Sequence, residues 1–186
     1  QEAEPFGRHM DAVFEQFAER FTSFRSDQPE RMALYLFKTQ RDYIDFLRQF
    51  RIDGTNSGGI FVVQPKLLAV ATWVQGKSRS ETFRTLQHEG FHQFAHRYIG
   101  PTLPIWINEG LAVYFESGIL VGKTFRLGLA DVRRVLAIQN AIEHNRVIRF
   151  DRLLNMTADQ WQQGLLGDVE RAQFLYDQSW SIVHFL

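Results

Sequence analysis

The chain has 186 residues, 45% of them apolar and 23% charged, which suits a single globular domain with its own core and excludes wholesale disorder. The 21 basic and 21 acidic residues cancel, so no one-sign field exists to gather nucleic acid or an anionic membrane. There is no cysteine, which removes disulfides, thiolate catalysis and cysteine-ligated zinc. Apolar runs such as Leu67–Val74, broken by Thr72, fall far short of the ~20 residues of a bilayer span, so no membrane span is expected.

Taken in chain order, Phe6, Met10, Val13, Phe14, Phe17, Phe21 and Phe24 recur at spacings of three and four. That draws one apolar stripe on a helix and predicts core. Met32–Phe37 has the composition of a strand. Thr39 and Asp42 then resemble a capping box with Asp in place of Glu, opening a helix through Tyr43, Phe46, Leu47 and Phe50. Gly54–Gly59 is a loop by composition, and Ile60–Gln64 and Lys66–Trp73 read as strands with Pro65 between them.

Ser78 and Glu81 form a second capping pair, opening a helix that runs to about Gly100. Pro101 and Pro104 punctuate a loop before a helix over Ile105–Glu116. Further helices are expected over Ala130–Glu143, Asp151–Asn155, Ala158–Gly164 and Val169–Leu186. The adjacent Arg133 and Arg134 read as a solvated helix face. The pattern is a small mixed sheet followed by helices only, hence an α+β domain without the strand–helix alternation of a Rossmann-type sheet.

The chemistry concentrates in His88-Glu89-Gly90-Phe91-His92. Two histidines four apart are offset by roughly 40° on a helix, so both imidazoles leave one face on successive turns. Both nitrogens can then reach one Zn²⁺ at about 2.0–2.1 Å. Glu89 lies between them, placed to act as general base toward a water beside the metal. A catalytic zinc needs a third protein ligand. Gly at position 95 and His at position 98 would supply the metzincin answer, but Ala95 and Tyr98 stand there. His96, one turn past His92, would diverge from a common metal and reads as a packing or surface residue. Glu109, 17 residues beyond His92 and past the breakers Gly100, Pro101 and Pro104, can return on a second helix to complete the set.

His-Glu-x-x-His followed by Trp106-Ile107-Asn108-Glu109-Gly110-Leu111-Ala112 resembles the gluzincin metallopeptidases. The nearest likeness is to peptidase-MA-like domains of unknown function, with thermolysin and the zinc aminopeptidases more distant. The resemblance implies a zincin-like fold over residues 1–186 and one Zn²⁺ per chain on His88, His92 and Glu109. It implies peptide-bond hydrolysis with Glu89 as base, on a peptide or protein substrate. It further implies a later tyrosine that donates to the oxyanion, and Tyr176 sits where that tyrosine is expected, with His184 two turns on as an alternative or a capping or surface residue. Glu116, two turns past Glu109, either accepts the second N–H of a ligand histidine or is a solvated helix-end carboxylate.

In this clan an extended peptide pairs with an edge strand before the metal helix. Gly59, Ile60 and Phe61 fall at that place, although Gly58-Gly59 reads equally well as a plain hairpin loop. Phe61 stands where zinc aminopeptidases carry the glutamate that binds a free amino terminus, so endopeptidase action is expected over aminopeptidase action. The alternative in another class is a catalytically inactive zincin-fold module that binds a peptide or partner; hydrolysis of a non-peptide amide or ester would use the same residues. The chain opens at Gln1 and stops inside an apolar helical pattern at Leu186, from which a longer parent protein is expected, in an extracytoplasmic or secreted setting.

Overall fold

Several helices begin where the sequence supplies a side-chain cap. In the computed structural model, which describes residues 3–24, 32–122, 124–166 and 168–186, the Ser78 hydroxyl accepts the Glu81 amide at 3.1 Å and the Glu81 carboxylate accepts the Ser78 amide at 2.7 Å. Thr157 and Gln160 form a second full box, at 3.2 and 3.0 Å. Thr39 makes half of one. Its hydroxyl accepts the Asp42 amide and donates to the Asp42 carboxylate at 2.7 Å. An Asp side chain, one methylene shorter than Glu, thus bonds the hydroxyl instead of reaching back to the Thr39 amide.

The chain divides into two compact units, residues 1–101 with 120–125, and residues 102–119 with 126–186. The first holds α1 (Glu4–Arg20), β1 (Ala33–Phe37), α2 (Gln40–Arg48), β2 (Gly59–Gln64), β3 (Leu67–Trp73) and α3 (Arg79–Phe94). The sheet runs β1-β3-β2, with β1 parallel to β3 and β2 antiparallel to it. It is therefore mixed, as expected. Pro65 and Lys66 form the two-residue turn between the paired Gln64 and Leu67. Tyr43 and Leu47 of α2 pack with Val62, Ala71 and Trp73 into one buried cluster. On the opposite face Gly59 meets Thr85 of α3. The stripe of α1 buries Met10, Val13 and Phe17, whereas Phe24 lies beyond the helix in a 3-10 turn and is exposed.

Two expectations about regular structure need correction. The helix opened by Ser78 does not stay α-helical to Gly100. It widens into a π-turn over Ala95–Ile99, closed by Gly100 at a φ of +130°. The later half is also not purely helical, since β4 (Ile119–Val121) and β5 (Thr124–Arg126) make a two-stranded sheet. Strands of three residues are too short for alternation to be legible.

The second unit holds α4 (Ile105–Glu116), α5 (Val132–Glu143), α6 (Phe150–Leu154), α7 (Ala158–Leu165) and α8 (Val169–Phe185). Leu153, Trp161 and Leu175 bring α6, α7 and α8 into one apolar cluster. Helices α4 and α8 approach closely at Gly110, where an added Cβ would lie 2.7 Å from the Ser179 carbonyl oxygen and 2.8 Å from Val183 Cγ2. The architecture is thus mixed α+β, and among the described residues no helix is long and apolar enough to cross a membrane.

The Gly110 contact is against backbone and cannot relax by a rotamer change. Gly110→Ala should therefore lose about 1–3 kcal/mol despite its better helix propensity, whereas Gly7→Ala, with open space around it on α1, should gain up to about 1 kcal/mol. Urea unfolding of the two variants checks the opposite signs.

Candidate active site

Helix α3 carries the histidine pair because its other side is fixed. Phe91 is fully buried, edge-on to Phe17 of α1 at 5.6 Å and 89°. A Cβ on Gly90 would lie 2.5 Å from Met10 Cε, so glycine in the motif lets α1 close on α3. His88 and His92 sit a turn apart and half-buried, with ring centroids 4.8 Å apart and planes at 83°. Among the described residues the one candidate set of metal ligands is His88, His92 and Glu109, the last half-buried on α4 of the second unit.

Two imidazole nitrogens and a carboxylate oxygen form a donor set that suits Zn²⁺, which takes such atoms at about 2.0–2.2 Å. The residues fit the metal.

Glu89, between the histidines, is tied to the sheet. Its Oε2 accepts the main-chain amide of Phe61, in β2, at 2.9 Å. The loop that delivers β2 is pinned twice. The Tyr43 hydroxyl and Ser57 hydroxyl are 2.6 Å apart, and burial pushes the Tyr43 phenol up to about 12. Lys77 donates to the Gly58 carbonyl and to Thr72 Oγ1, and its ammonium lies 3.5 Å from the centre of the Trp73 ring. Burial lowers the Lys77 pKa to about 8, against the raising pull of Glu81 and Glu89. Sequence reasoning missed Lys77, since a lone lysine after a glycine carries no signal.

The other singled-out residues are placed as follows. His96 belongs to the π-turn and packs edge-on against Phe61 at 5.5 Å, a packing residue as expected. Tyr176 is half-buried on α8, edge-on to Trp161 at 5.3 Å. His184 lies against Trp180 at 4.9 Å and 6.1 Å from Tyr114, so it is packed among rings rather than standing at the surface; its Nδ1 is buried without a hydrogen-bond partner among the described residues. Glu116 is no solvated helix end. Its side chain is 14% exposed and pairs with Arg134 at 2.7 Å.

Arg134 corrects the reading of the Arg133-Arg134 pair. Arg133 is exposed and bonds Asp131, but Arg134 is buried and also pairs with Asp177, which accepts a further bond from Gln173 at 2.9 Å. The overlooked signal was spacing: Arg134, Ile138 and Ala141 share the inward face of α5.

A sequence profile described as "Protein of unknown function (DUF1570)" matches residues 82–186, a span that holds His88, Glu89, His92, Glu109 and Tyr176. Neither a curated protein nor a solved structure matches the chain.

Arg134→Ala would leave Glu116 and Asp177 buried without their common cation, and should cost about 3–5 kcal/mol in urea unfolding. Lys77 gives a pH test with a definite sign. Its folded pKa lies below the ordinary 10.5, so between about 8 and 10.5 the unfolded chain binds more protons and this residue makes stability rise with pH. Unfolding at pH 7.5 and 9.5 should show the native protein gaining on Lys77→Met over that interval, by less than the shift alone implies because the lysine is half-exposed.

Proposed function

This chain belongs to the DUF1570 family, and we propose that it is a zincin-like metallopeptidase of the gluzincin kind, hydrolysing peptide bonds within a peptide or protein chain with one Zn²⁺ on His88, His92 and Glu109. The observation that carries the reading is the His88–His92 pair a turn apart on α3, ring centroids 4.8 Å apart, with Glu89 between them and bonded to β2. When bound, the ion supplies Lewis acidity, polarising a carbonyl and lowering the pKa of a water beside it.

The rest falls to the chain's own groups. Glu89 takes the proton of the attacking water and returns it to the leaving nitrogen. Tyr176 donates its phenolic hydrogen to the oxygen on which charge develops, with His184 as the other candidate for that bond. The open edge of β2, outside the Phe61 amide that Glu89 occupies, pairs with an extended substrate backbone. Ile60, Phe61 and Val62 offer no carboxylate to an ammonium group, which favours cleavage within a chain over removal of its first residue.

Elemental analysis of protein purified without affinity metals should find about one zinc per chain, lost in His92→Ala and in Glu109→Ala. Glu89→Gln should keep the metal and lose cleavage of a peptide library by about a hundredfold or more. Zinc retained in full by Glu109→Ala would remove that ligand, and unchanged turnover in Glu89→Gln would remove the general base.

A further inference from the structure

A general base works only if its carboxylate is aimed, and glutamate has three side-chain torsions to fix. The bond between Phe61 and Glu89 shows what fixes them. Strand β2 ends the sheet, paired with β3 on one side only. Amides of an antiparallel strand alternate between the partner and the open side. The Phe61 amide reaches Glu89 Oε2 at 2.9 Å, so it belongs to the open side, and the bond leaves the β2–β3 ladder intact.

We propose that the main-chain amide of Phe61 is the positioning group for Glu89, holding Oε2 so that Oε1 faces the proton to be taken. The inference rests on the reading of Glu89 as general base given above. The amide is itself well anchored. The Phe61 ring packs edge-on to His96, and Gly59, two residues earlier, is pressed against Thr85 with room for no side chain. Lys77 holds the Gly58 carbonyl just before the strand begins. At the other end of the bond, Glu89 precedes Gly90, where α1 closes on α3. Strand and helix are thus each fixed independently, and the hydrogen bond joins two rigid supports. Such preorganisation removes the entropy of orienting the base at the moment of reaction.

Proline at position 61 deletes the amide together with the ring that packs on His96, and an edge strand tolerates proline on its open side. Phe61→Ala is the matched control, since it removes the same ring and keeps the amide. With zinc content and thermal midpoint monitored, Phe61→Pro should have a kcat about 10- to 100-fold below that of Phe61→Ala, with KM and zinc equal in the two. Amide hydrogen exchange gives a readout free of turnover. Phe61 should be protected in the native protein and exchange at least about tenfold faster in Glu89→Ala, with Val62 unaffected.

Equal kcat in Phe61→Pro and Phe61→Ala, or Phe61 exchange indifferent to Glu89→Ala, would overturn the proposal. Phe61→Pro failing to fold leaves the exchange experiment to decide it. Absence of peptide cleavage by the native protein, with Phe61 exchange still responding to Glu89→Ala, would overturn the peptidase reading and not the link between strand and carboxylate.

Discussion

The interaction on which the site depends is the burial of one side of α3 against α1. A helix presents the histidines of an i, i+4 pair in a fixed relation only if its own rotation is fixed. Phe91 and Phe94 against Phe17 and Phe21 supply that constraint, and Met10 fills the space beside Gly90. The five residues of the motif therefore do two jobs at once. Their polar members face outward from the packing, and their glycine and phenylalanine set the angle at which they do so.

The sequence made this part readable because helical periodicity is local. Caps at Thr39 and Ser78, the stripe of α1 and the histidine spacing all depend on neighbours within a few residues. Glu109 could be singled out for a second reason: breakers before it allow a reversal, and its type suits the third ligand that the resemblance implies. The strands β4 and β5 were not legible, since three residues carry no period. The π-turn was not legible either, because one extra residue per turn leaves no mark in composition.

The charged groups show a different limit. Arg133 and Arg134 are identical letters side by side, yet one is solvated and the other buried between two carboxylates from α4 and α8. Only the 100° rotation between adjacent positions separates their fates, and only tertiary packing says which angle is inward. Lys77 and the Phe61 amide are more distant still from sequence reasoning. The first owes its low pKa to burial near Trp73, and the second is a main-chain group that every non-proline residue possesses. The proposed site draws on groups that carry no residue-type signature.

The open edge of β2 also bears on self-association. A row of unpaired amides and carbonyls invites another strand, including the same strand of a second copy. At Phe61 that row is interrupted by an acceptor already seated on its amide. A second copy pairing there would have to displace Glu89, and a symmetric pairing would bring two such side chains together away from water. The edge is thereby guarded against its own kind at its middle, without the proline, bulge or shortened strand that proteins commonly spend on that purpose.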